Sequence, residues 1–168
     1  MSLGYSSALS CSTRIMDTID GISVSAPLFL ISAMQPCNLC GKENMIAAFA
    51  TNNLSVKEEQ EEDGFLLSYV EELPAELLGE ILKHHPNFAI RHSMTAGDSY
   101  FMTVCECGGH FGDHYVQKRL LNLAFRTPDE ISVQELPLDG TWVIPCAYSQ
   151  SISVSKLLDR ARIWTANR

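Results

Sequence analysis

The reading of this 168-residue chain turns on two short stretches, Pro36-Cys37-Asn38-Leu39-Cys40-Gly41 and Cys105-Glu106-Cys107-Gly108-Gly109. A Cys-x-x-Cys turn doubles back within four residues and leaves two sulfurs on one side. The glycine after it permits a positive φ, so that backbone N–H groups point at a sulfur. Zinc in structural sites takes four tetrahedral ligands and prefers thiolates. Two such turns on separate hairpins therefore predict a four-thiolate Zn2+ site made of Cys37, Cys40, Cys105 and Cys107. Sixty-four residues separate the pairs, so the metal would clip distant parts of one domain together. Cys-x-Cys is tighter than Cys-x-x-Cys and has a poorer bite, which leaves His110 or His114 as substitutes for a sulfur.

Working outward, the segments around the pairs read as β structure. Ile22 to Met34 is β-rich with partial alternation, and Pro27 inside it suits an edge or bulged strand. Asn44 to Thr51 reads as the returning strand of a hairpin, and Phe65 to Val70 as another strand. Phe88 to Met94 reads as a short strand, and Tyr100 to Val104 alternates into the second cysteine pair. Thr141 to Tyr148 forms a late strand after the Leu138-Asp-Gly140 turn.

Pro74 to His85 is the clearest helix. Pro74 suits its first turn, and Leu77, Leu78, Ile81 and Leu82 form one apolar stripe. Lys83, His84 and His85 suit the negative end of its dipole, and Pro86 stops it. Asp113 to Leu123 reads as helical, with Asp113 capping a helix that starts at His114. Thr127 to Glu130 is a loop or a helix start. Ser153 to Trp164 is amphipathic, with Val154, Leu157, Leu158, Ala161 and Trp164 on its buried side. The fold class is α+β: an antiparallel sheet, at least two helices and a zinc-ribbon-like four-cysteine metal site. Residues 1–17 read as a flexible N-terminal tail and residues 18–168 as one zinc-binding globular domain.

Composition limits the function. Apolar residues make up 46% and charged residues 19% of the chain, a globular balance. Twelve basic against twenty acidic residues give a net charge of −8, which disfavours nucleic acid and anionic membranes as partners. The run Ala26 to Met34 is too short to span a bilayer. No basic segment precedes an apolar one at the N-terminus, so a cytoplasmic location is expected. That location argues against a disulfide framework for the six cysteines. Cys146, after Trp142-Val-Ile-Pro145, reads as a small buried apolar residue, and Cys11 lies in the tail. The negative charge is local: Lys57 to Glu80 holds one lysine and nine acidic residues. Its run from Lys57 to Asp63 is expected to be a solvated tip, or a dock for a basic protein partner.

Other chemistries make demands of their own. A redox role for Cys37 and Cys40 needs a helix starting at Cys37 to lower its pKa. Iron fits the same ligands, with matched Cys-Pro-x-Cys-Gly loops as its better signature. A catalytic zinc keeps an open position with a proton acceptor beside it, a role Asp113 with His110 or His114 could fill in a small metal-assisted hydrolase. Ser93 with His92 and Asp98 lacks a nucleophile elbow and reads as loop hydrogen bonding.

The order of motifs resembles that of a group of uncharacterised bacterial zinc-ribbon-like proteins. The matching residues are Pro36 to Gly41, Tyr69 to Leu77, Ser93 to Tyr100, and Cys105 to Asp113, about the middle half of the chain. That group usually has Cys-x-x-Cys-Gly at the second pair and an acidic, Gly-Pro-rich tail after Gly-Asp; this chain has neither. The resemblance implies zinc and implies no reaction. A non-enzymatic interaction module of unknown biological role is the expectation, with no catalytic residue assigned.

Overall fold

A computed structural model describes residues 22–55 and 64–166, with side chains through Arg160. The predicted tail with Cys11, the acidic run at 57–63, and the side chains of Ala161 and Trp164 lie outside the described residues. The strands are β1 (Ile22–Ser25), β2 (Leu28–Pro36), β3 (Glu43–Thr51), β4 (Leu54–Ser55), β5 (Gly64–Ser68), β6 (Phe88–Ser93), β7 (Asp98–Val104), β8 (His110–Phe111), β9 (Ser132–Leu136), β10 (Thr141–Ile144) and β11 (Ala147–Ser151). Among the described residues three α-helices join them, α1 (Ala75–His84), α2 (Asp113–Arg126) and α3 (Ile152–Ala166), with a 3-10 turn at Pro128–Glu130. The fold is α+β.

A five-stranded sheet, β11-β5-β3-β2-β9, forms the centre, and every neighbouring pair in it is antiparallel. Its β2 and β3 are buried on both faces. Phe29, Ile31, Ile46, Ala48 and Leu66 pack against Val116, Leu120 and Leu123 of α2 and Val154, Leu157 and Leu158 of α3. Leu28, Leu30, Phe49 and Leu67 face the other way, against Leu77 and Ile81 of α1, Phe88 of β6, Val24 of β1 and Ile144 of β10. Double-sided cover is why Leu28 to Ala33 reads as a nearly unbroken apolar run without clean alternation. Two small antiparallel sheets, β10-β1-β4 and β6-β7-β8, complete the architecture.

Helix α1 matches its sequence signals. Pro74 stands at the N-cap, Glu76 lies in the first turn, and Lys83 and His84 lie in the last. Full burial of Leu77 and Ile81 contributes about 1.5–3 kcal/mol each.

Three expectations change. Pro27 is not inside an edge strand: it separates β1 from β2, which belong to different sheets, and β2 lies internally between β3 and β9. The late strand divides at Pro145-Cys146, because β10 pairs with β1 whereas β11 pairs with β5. Strand β9, along β2 from Leu28 to Ser32, is an addition to the strands read from sequence. It forms one edge of the sheet, so most of its residues are polar and its apolar signal is weak.

Candidate metal centre

The two cysteine pairs occupy the ends of two hairpins. The first turn connects β2 to β3: the Cys37 N–H donates to Lys42 O (2.9 Å) and the Gly41 N–H to Cys37 O (2.8 Å). The second connects β7 to β8: the Cys105 N–H donates to Gly109 O (2.6 Å) and the Gly108 N–H to Cys105 O (2.8 Å). Gly41 and Gly108 have φ of 73° and 88°, a conformation that costs glycine no steric penalty. The second turn is thus the first with one residue removed, and Cys-x-Cys closes the same loop that Cys-x-x-Cys does. Gly109 has a separate task. A Cβ there would stand 2.9 Å from Cys37 Sγ and 3.4 Å from Cys107 Sγ, so its absence lets the turns meet.

All four sulfurs lie within 4.8 Å of one another, and the group could hold a metal ion. Two contacts run between the turns: Cys37 to Cys107 and Cys40 to Cys105, each at 3.6 Å. All four are free thiols. Tetrahedral zinc–thiolate bonds of about 2.3 Å put neighbouring sulfurs about 3.8 Å apart, so the donor set fits such an ion with little movement. Cys37 and Cys105 are buried; Cys40 and Cys107 are exposed.

Polar groups around the sulfurs favour negative charge. The Leu39 N–H, then that of Cys40, lowers the Cys37 pKa. The Cys107 N–H lowers Cys105 to about 6, against the effect of burial, and the Asn44 amide adds to it from 3.5 Å. The Gly109 N–H favours the Cys107 thiolate, yet the Cys40 sulfur, burial, Cys37 and Cys105 together push it up to about 12. That spread is the behaviour of a crowded acid cluster: some protons leave readily and the rest are held by the charge already formed. A dication at the centre would remove the opposition. Outside the sulfurs, Lys42 of the first turn pairs with Glu106 of the second. Asn44 is a supporting residue that the motif itself does not mark. It is buried where β3 leaves the turn and also donates to Lys42 O at 2.7 Å. Its sequence signal is an amide shortly after a cysteine turn, at the head of an apolar strand.

The other predicted groups stand elsewhere. Among the described residues, neither His110, His114 nor Asp113 belongs to the sulfur group. His110 is exposed on β8, and His114 lies edge-on to Tyr115 at 5.5 Å. No helix starts at Cys37, because the first turn leads directly into β3, so the redox reading lacks its pKa-lowering element. Ser93 Oγ accepts the Ala96 N–H at 3.2 Å, a loop role. Cys146 is buried away from the quartet, and burial pushes its thiol up to about 12.

Asp113 is not a helix cap. Helix α2 starts at Asp113 itself, Gly112 holds the N-cap position, and there is no side-chain cap bond. The Asp113 carboxylate instead accepts the Tyr69 N–H at 2.6 Å, while its own N–H donates to the Tyr100 hydroxyl at 3.3 Å. Tyr69 has φ of 56°, a strained value for a residue with a Cβ, and Asp113 fixes it there at the end of β5. Burial pushes the Asp113 carboxyl up to about 6. A carboxyl raised above its unfolded value near 3.9 stabilises the fold fully below that value and loses the contribution as pH rises through about 6. Asp113→Asn keeps an acceptor for Tyr69 and removes the charge. In urea unfolding the variant is expected to be more stable than the parent at pH 8, by roughly 1–2 kcal/mol after solvent screening. At pH 4 the gain should vanish; an equal gain at both pH values rules this account out.

No protein-family model matches the chain, and no curated protein or solved structure is significantly similar to it.

Proposed function

We propose that Cys37, Cys40, Cys105 and Cys107 bind one Zn2+ in a closed structural site, and that the protein is a non-enzymatic, cytoplasmic interaction module. The observation that carries this reading is the meeting of four thiols from two matching turns on two different sheets. Zinc would clip the end of the β2–β3 hairpin to the end of the β7–β8 hairpin. With four thiolates the coordination sphere is complete, which leaves no position for a reacting water. The hydrolase alternative would need Asp113, His110 or His114 beside an open position, and the sulfur group includes none of them.

Exposed apolar residues beside the clip support the interaction role. Met34 and Met45 are cross-strand partners, 47% and 44% exposed, and Leu39 at the tip of the first turn is 77% exposed. Adaptable methionines on an open surface suit partner binding. The resemblance to bacterial zinc-ribbon-like proteins agrees with this reading and supplies no partner.

The test is elemental analysis of untagged protein for the parent, Cys37→Ser and Cys105→Ser. The expected result is about one zinc per chain in the parent, set by one four-ligand site, and none in either variant. Iron in place of zinc overturns the zinc assignment. Zinc retained by Cys105→Ser overturns the four-cysteine set in favour of a histidine ligand.

A further inference from the structure

We infer that a cleft beside the metal centre, between the first cysteine turn and α2, binds a small organic phosphate. The cleft has a volume of about 290 Å³, at the lower end of ligand-sized pockets. Its apolar lining is Ile46 of β3 and Phe111 of β8. One wall is a single helix face, Tyr115, Lys118, Arg119 and Asn122, and Asn38 of the cysteine turn adds an amide to the lining.

Two features point to an anion. The chain has twenty acidic residues and twelve basic ones, yet the cleft is lined by two cations and no carboxylate. Those cations are also unspent. Lys118 has no ion pair among the described residues. Among the described residues Arg119 pairs with Glu130 at 4.0 Å, beyond hydrogen-bond distance. Its side chain is 37% exposed, so the outer N–H groups of the guanidinium are open to an oxyanion in the cleft. A guanidinium fork beside an ammonium suits a phosphate: the fork offers paired donors and the ammonium a mobile point charge. The apolar lining and the exposed Tyr115 ring call for an organic body attached to that phosphate. The amides of Asn38 and Asn122 offer donors and acceptors to its polar edge. The volume suits a small body, and AMP serves as the largest probe.

The test is calorimetric titration of the full-length, metal-loaded protein with AMP, ribose 5-phosphate and glycerol 3-phosphate, each beside its dephosphorylated counterpart. At least one ester is expected to bind, at least about tenfold more tightly than the counterpart. Lys118→Glu, an exposed substitution, should weaken that binding about tenfold or more while leaving metal content and thermal midpoint at parental values. Failure of all three esters at millimolar concentration overturns the inference, and so does unchanged binding in Lys118→Glu. Inorganic phosphate binding as tightly as the esters overturns the organic part of the claim. A ten-residue single-stranded oligonucleotide that binds where the monoesters do not assigns the cations to a nucleic-acid strand instead. Because metal content is read separately, loss of the zinc-site reading and loss of this one are distinguishable.

Discussion

Removal of the metal, by chelator or by Cys105→Ser, is expected to lower the midpoint of thermal unfolding by roughly 8–16 °C. The size follows from what the ion would tie together. The cysteine pairs bracket residues 41–104, and a cross-link closing a loop of that length removes unfolded-state entropy worth about 4 kcal/mol. In a chain of this size each kcal/mol moves the midpoint by about 2–4 °C. The native state loses as well. Cys37 and Cys105 belong to the same buried cluster as Phe111 and Val116, so empty thiols leave polarised sulfur against apolar neighbours. Cys146→Ser is the control, because Cys146 is buried on the opposite side of the sheet with Leu28 and Ile144. That variant should lose some stability to its buried hydroxyl and still respond to chelator as the parent does. A parent whose midpoint is indifferent to chelator is not held by a metal clip, and the quartet would then need another account.

The cysteine quartet was legible because its chemistry is local: two turns, each written in five or six consecutive residues. What the sequence could not say was how a Cys-x-Cys turn comes to match a Cys-x-x-Cys turn. The answer needs the two turns side by side, where Gly108 N–H to Cys105 O repeats Gly41 N–H to Cys37 O one residue shorter. The helices were legible through period and punctuation, as with Pro74, the Leu77–Ile81 stripe and Pro86 around α1. The strands were harder for a physical reason. A strand buried on both faces, such as β2, has no alternation to read, and an edge strand such as β9 has little apolar content to alternate. Pro27 and Pro145 look like flaws within strands until the sheets are known. Each then marks the point where the chain leaves one sheet for another. Asp113 illustrates a different limit. Its position before a helix suggested a cap, but its partner is Tyr69, forty-four residues away. The cleft beside α2 was invisible for a related reason: a net charge of −8 averages over the surface, whereas Lys118 and Arg119 matter only beside Ile46 and Phe111.

The same substitution at two glycines should have opposite signs. Gly64 directly follows the acidic run and looks in sequence like an ordinary turn residue, yet it is the first residue of β5 and lies against the start of α3. A Cβ on Gly64 would fall 2.3 Å from Ser155 N, 2.7 Å from Val154 C and 2.9 Å from Ser155 Cα. All three are backbone atoms and no side-chain rotation can move them. The helix cannot simply shift along the sheet, because Gly64 is paired with Ser151 and the residue after Ser151 begins α3. Relief therefore requires α3 to lift off β5, which separates Val154, Leu157 and Leu158 from Leu66 in the core. Gly64→Ala is expected to destabilise the protein by about 3 kcal/mol or more, at the upper end for overpacking. Gly79, in the interior of α1, has nothing within 4 Å of where an alanine methyl would stand. There the added methyl only restricts the unfolded chain and improves helix propensity, so Gly79→Ala should gain about 0.5–1 kcal/mol. Urea unfolding of the two variants beside the parent reads both effects. A loss of less than about 1 kcal/mol at Gly64, against the expected ~3, would mean that β5 and α3 are not in backbone contact and that this half of the core is packed differently.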